Sequence, residues 1–74
     1  MLTRVILAQS RVIAKGLRIR DVRRLMRDYG GRASGWVKKS TPVLEMDGRH
    51  FEYHWYEHPG IGGVEMKRKE VSHQ

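Results

Sequence analysis

The sequence predicts an α+β fold in which one or two N-terminal helices pack on one face of a small antiparallel β-meander. Three observations carry that expectation. Positions 43–69 alternate polar and apolar residues, two turn signals interrupt the alternation, and the segment before it carries an apolar stripe at helical spacing.

Taken in order, Leu2, Val5, Ile6, Val12 and Ile13 recur at roughly helical intervals with Ala8 between them, and Gly16 is a stop signal. Residues 1–16 are therefore read as an N-terminal helix or extension. In the next segment Ile19, Val22, Leu25, Met26 and Tyr29 form one stripe, Arg20, Arg23, Arg24 and Arg27 fill the rest of the surface, and Gly30-Gly31 ends the helix. This helix is expected to cover the apolar face of the sheet. In the connection that follows, Trp36 is an anchor, and Val37 to Lys39 reads equally as loop or strand.

Asp47-Gly48 supplies the positive φ angles of a tight hairpin turn. Pairing Met46 with Arg49 sets Leu44 against Phe51. Leu44, Met46, Phe51, Tyr53 and Trp55 then share one face, and Val43, Glu45, His50, Glu52, His54 and Tyr56 the other. The run His58-Pro59-Gly60-Ile61-Gly62-Gly63 turns the chain back. Pairing Glu57 with Val64 puts Met66 opposite Trp55, Lys67 opposite His54 and Glu65 opposite Tyr56. Both turns assign the same apolar face, with Val64 and Met66 on it.

Seventy-four residues allow one small domain, read as 17–71 with a frayed tail at 72–74. No large internal substrate pocket is expected. The absence of cysteine excludes disulfides and thiolate metal sites. No apolar run approaches the roughly 20 residues that span a bilayer, so the chain reads as soluble, with no membrane span. The net charge of +7 is uneven: eleven of the fifteen basic residues, but only Asp21 and Asp28 of the eight acidic ones, precede position 40. Such a field favours a polyanion, either nucleic acid or an anionic membrane surface, or an acidic protein. Arg20, Arg23, Arg24, Arg27, Lys38, Lys39, Arg68 and Lys69 are the candidate phosphate contacts.

His54 is the best general acid or base candidate, because imidazole exchanges protons near neutrality. Lys67 across the strand would stabilise developing negative charge. Glu65 and Tyr56 would supply a second proton-transfer group and an orienting hydroxyl. That set suffices to cleave RNA without metal, through its 2′-hydroxyl; which of His54 and Glu65 is acid and which base stays open. The bland alternative is an ordinary solvated sheet face. His50, His54 and His58 recur every four residues, but on a strand successive members stand about 13 Å apart, too far to share an ion. No metal or other cofactor is therefore expected.

The runs Tyr29-Gly-Gly31, Trp36-Val-Lys-Lys39, His54-Trp-Tyr-Glu57, Gly60-Ile-Gly62 and Val64-Glu-Met-Lys67 resemble the C-terminal toxin modules of bacterial polymorphic toxins, which include contact-dependent growth inhibition proteins. The resemblance covers roughly positions 17–69. It implies the compact nuclease fold shared by barnase, EndoU, colicin-type tRNases and RelE, and a metal-independent ribonuclease, often directed at tRNA and neutralised by a cognate immunity protein. His54, Tyr56, Glu57, Glu65 and Lys67 are the matching catalytic candidates. Action in the bacterial cytoplasm is implied, with delivery from another cell within a larger secreted protein as one route. Two rival expectations stand beside it: a non-catalytic nucleic-acid-binding module, and an interaction domain that docks an acidic partner. Oligomeric state stays open.

Overall fold

A computed structural model describes residues 2–72; the last two positions of the expected frayed tail lie outside the described residues. Among the described residues the fold is α+β, with two α-helices and an antiparallel sheet of five strands. Helix α1 (Arg4–Ala8) is a single short turn, capped by the Thr3 hydroxyl accepting from the Ile6 N–H at 3.2 Å, and buries none of its residues. Strand β1 (Arg11–Lys15) follows. The helix expected over the first sixteen residues therefore stops at Ala8. The β-branched pair Val12 and Ile13, read above as part of a helical stripe, prefers an extended backbone once a partner strand is present.

That partner is β2 (Val37–Ser40), the segment readable as either loop or strand. Strand β4 (Arg49–His58) is the centre of the sheet. Strand β5 (Gly62–Glu70) runs along one edge of it, while β3 (Leu44–Met46) and β2 pair with successive parts of the other. Thr41 joins those two short strands. Its N–H donates to the Tyr53 carbonyl at 3.0 Å and its hydroxyl accepts from the Tyr53 N–H at 3.1 Å, which satisfies a fully buried polar side chain.

The first hairpin has the expected register, Leu44 against Phe51 and Met46 against Arg49, with Asp47 and Gly48 at φ 53° and 75°. The second departs from expectation. His54 pairs with Lys67, but Tyr56 pairs with Val64 and Glu57 with Gly63. Glu65 and Met66 together oppose Trp55, and Glu65 takes a φ of 58°. This is a β-bulge, and it corrects the Tyr56–Glu65 and Glu57–Val64 pairings by one residue. A uniform alternation hides an inserted residue, which is why the turn alone pointed to the wrong partner.

Helix α2 (Val22–Tyr29) ends at Gly30, whose φ of 90° suits glycine. Its Val22 and Leu25 join Ile19 and Trp36 in a buried cluster, and Tyr56 and Val64 pack against that cluster. The apolar side of α2 thus meets the face of β4 that bears Tyr56, and not the face of Phe51 and Trp55 that the alternation assigned to it. The bulge moves Val64 to this side, which gives the helix an apolar seat. Trp36 is fully buried, donates from Nε1 to the Gly30 carbonyl at 3.1 Å and lies 5.3 Å from the His58 ring, as an anchor between helix and sheet should. On the opposite face, Phe51 and Trp55 are buried without α2; the Arg68 guanidinium lies 4.6 Å from the Phe51 ring.

Candidate nucleic-acid interface

Eight helical residues extend about 12 Å, whereas ten residues of strand extend about 33 Å, so α2 covers only part of the β4 face it meets. Beyond its first turn, where the chain runs from Ala14 through Asp21, the same face opens into a groove of about 530 Å³. Period-two alternation sets His54 and Tyr56 of β4 side by side in its floor. Lys67 and Lys69 enter from β5, Lys38 from β2, Arg18 and Arg20 from the segment leading into α2, and Arg24 from α2 itself.

Among the expected catalytic residues, His54, Tyr56, Glu65 and Lys67 all line this groove. Glu57 does not. It lies on the opposite face, where Trp55 Nε1 donates to it at 2.8 Å and Lys39 Nζ stands 3.1 Å away; those two contacts hold its carboxyl below the usual range. Of the expected phosphate contacts, Arg20, Arg24, Lys38 and Lys69 line the groove. Lys39 faces away with Glu57, Arg68 lies over Phe51, Arg27 stands 3.4 Å from Asp28, and Arg23 is exposed outside the groove. Arg18 was missed, because it lies on a single 3₁₀ turn before the recognisable stripe.

The electrostatics divide these groups into engaged and free. Arg24 meets Glu65 through two hydrogen bonds, Nη1 to Oε2 at 2.9 Å and Nη2 to Oε1 at 2.7 Å, and the Tyr29 hydroxyl donates to Oε2 at 2.9 Å. The Arg24 hydrogen bonds, followed by that of Tyr29, bring the Glu65 carboxyl down to about 2. Glu65 is therefore a fixed carboxylate that ties α2 to β5, an arrangement that suits anchoring better than proton transfer. Tyr56 donates to Asp21 at 3.2 Å; burial first, then the Asp21 charge, raises its phenol above the ordinary range, so it stays a neutral donor. By contrast, among the described residues no carboxylate lies within ion-pair distance of Arg18, Arg20, Lys38, Lys67 or Lys69.

His54 has a partner the sequence did not single out. Its Nε2 lies 3.0 Å from Glu52 Oε1, two residues along the strand on the same face, and that hydrogen bond lowers the Glu52 carboxyl. The other nitrogen, Nδ1, is covered and has no hydrogen-bond partner among the described residues. An unsatisfied buried acceptor costs about 1–3 kcal/mol, so such atoms are rare unless the site uses them. Alternation alone could have pointed to Glu52 as His54's neighbour; the covered, unpartnered nitrogen has no sequence signal.

Among the described residues no group of three His, Asp or Glu side chains is arranged to hold a metal ion, and no helix is long and apolar enough to cross a membrane. The groove thus combines a histidine in contact with a carboxylate, the Tyr56 hydroxyl as a neutral donor and several cations that have no carboxylate partner among the described residues. No protein-family model matches the chain, and no curated protein or solved structure matches it either.

Proposed function

We propose that this protein is a small ribonuclease that docks single-stranded RNA in the groove beside α2 and cleaves it without a metal ion. The observation that carries the reading is the gathering of five cations, without carboxylate partners among the described residues, around one histidine. Fixed positive charge attracts the phosphate backbone and stabilises the extra negative charge of a phosphorane. His54 removes the 2′-hydroxyl proton, the 2′-oxygen attacks phosphorus, and the bond to the 5′-oxygen breaks. The leaving oxygen takes its proton from the Lys67 ammonium or the Tyr56 hydroxyl. Products are a 2′,3′-cyclic phosphate and a 5′-hydroxyl. Glu65, held ionised by Arg24, drops out of the acid and base roles, and Glu57 lies too far round the sheet for one.

The resemblance to polymorphic toxin modules supports a biological setting for this chemistry: a toxin acting on RNA such as tRNA in a bacterial cytoplasm, neutralised by a cognate immunity protein. The covered Nδ1 of His54 favours a second reading, a non-catalytic RNA-binding module that uses the same cations. Incubation with total cellular RNA in EDTA separates them. Degradation by the unsubstituted protein that is lost in His54→Ala and Lys67→Ala supports the ribonuclease. Salt-sensitive binding without degradation supports the binding module, and indifference to RNA contradicts both.

A further inference from the structure

We propose that Glu52 is a positioning residue for His54, holding the proton on Nε2 and so leaving the lone pair of the ring on Nδ1. An ionised carboxylate only accepts hydrogen bonds, so the 3.0 Å contact between Glu52 Oε1 and His54 Nε2 needs an N–H on Nε2. The neutral ring then carries its lone pair on Nδ1. Glu52 is itself braced from the other side. Its Oε2 lies 3.6 Å from Arg11 Nη2, and Arg11 Nη1 donates to the Thr41 carbonyl at 3.5 Å. Both Glu52 and His54 side chains are only 15% exposed, so the contact is not a loose surface pair.

The charged neighbours of the pair on adjoining strands are Arg11 on β1, Lys38 on β2, and Lys67 and Lys69 on β5; Tyr56 follows on β4 itself. Among the described residues Glu52 is the one carboxylate in hydrogen-bond contact with the ring. A histidine that merely decorated the surface would have both nitrogens hydrated or bonded. Here Nε2 is held by Glu52 while Nδ1 is covered and has no partner among the described residues, so the Glu52 contact is what sets the tautomer.

Only the kinetic part of the test rests on the ribonuclease reading. Long-range nitrogen–proton correlation spectra of the ligand-free protein at mildly alkaline pH report which nitrogen of His54 bears the proton. The expected spectrum shows Nε2–H in the unsubstituted protein and a mixture of both tautomers in Glu52→Ala. A proton on Nδ1 in the unsubstituted protein, or the same tautomer in Glu52→Ala, overturns the assignment. Should Glu52→Ala fail to fold, Glu52→Gln and the unsubstituted spectrum still decide, since the amide oxygen of Gln can accept from Nε2 and should keep that tautomer. In RNA cleavage, Glu52→Ala should lower kcat roughly 10- to 100-fold with KM unchanged, and Glu52→Gln should recover part of it. Unchanged kcat in Glu52→Ala contradicts the positioning role. If the unsubstituted protein cleaves nothing, the ribonuclease reading fails, while the tautomer assignment stands or falls on the spectrum.

Discussion

Arg24 and Glu65 grip each other through two parallel hydrogen bonds of 2.9 and 2.7 Å, and the carboxylate they fix belongs to a residue with a left-handed backbone. The helix therefore holds the bulge in β5, and the bulge sets where Lys67 meets His54. A side chain and its own backbone pull in opposite directions at Glu65: the carboxylate is bound, while a φ of 58° is unfavourable for any residue with a Cβ.

Glu65→Ala loses the ion pair and keeps the unfavourable backbone, whereas Glu65→Gly loses the ion pair and relieves it. Both variants should be less stable than the unsubstituted protein, with Gly the more stable of the two by about 1 kcal/mol. This reverses the usual ranking of Ala over Gly. Urea denaturation of the three proteins checks it; Ala equal to or above Gly would mean that the bulge does not survive loss of the clamp.

Acid should weaken the fold through the same residue. The Glu65 carboxyl, at an ordinary value of 4.5 when unfolded, is brought to about 2 in the folded protein by Arg24 and then Tyr29. A lowered folded-state value contributes stability that is complete above the unfolded value and is lost as pH falls through the folded one. Stability should therefore drop between about pH 5 and pH 2. Glu65→Gln should show a shallower drop, with Glu52, Glu57 and Glu70, also lowered, supplying the remainder. Denaturation midpoints across this range test the sign; equal slopes in both proteins would contradict it.

His58 sits where side chains on Gly31 and Gly35 would be. A Cβ at Gly31 would fall 2.6 Å from His58 Nε2, and one at Gly35 would overlap the same atom. The ring cannot swing away freely, because Trp36 flanks it and its Nδ1 accepts from the Gly60 N–H at 3.1 Å. Gly35→Ala should cost about 1–3 kcal/mol, as overpacking does. In a His58→Ala background the same substitution should cost much less, and a double-mutant cycle measures the difference. An undiminished cost would place the constraint in the backbone.

Binding of RNA should weaken steeply with salt. Arg18, Arg20, Lys38, Lys67 and Lys69 line the groove without carboxylate partners among the described residues. With about 0.7 counterions released per phosphate neutralised on a single strand, log K against log salt should have a slope near −3.5. Lys38→Ala should reduce that slope by about 0.7, measured by fluorescence anisotropy with a labelled oligonucleotide. Lys39→Ala, on the far face beside Glu57, should leave it unchanged.

Much of this site was legible because alternation is a local property. Once Asp47-Gly48 is read as a hairpin, the shared face of His54 and Tyr56 follows, whereas the expected His54–Lys67 pairing is met only because the bulge offsets a turn register that is one residue off. What escaped was set by non-local contacts. The bulge depends on Arg24 reaching Glu65 from a helix forty-one residues earlier in the chain, and nothing near Glu65 announces it. Val12 and Ile13 fit either period, and only β2 decides in favour of a strand. The expectation that α2 would cover Phe51 and Trp55 failed because the bulge brings Val64 to the opposite face, where Tyr56 and Trp36 complete an apolar seat.

The most direct measurement uses a DNA oligonucleotide that contains a single ribonucleotide, incubated with the protein in EDTA. One cut is expected, immediately 3′ of that ribonucleotide, leaving a 2′,3′-cyclic phosphate. His54→Ala should reduce the rate by at least about 100-fold, and Glu57→Gln should leave it unchanged. Cleavage of the all-DNA control, a requirement for added metal, or full activity in His54→Ala would contradict it.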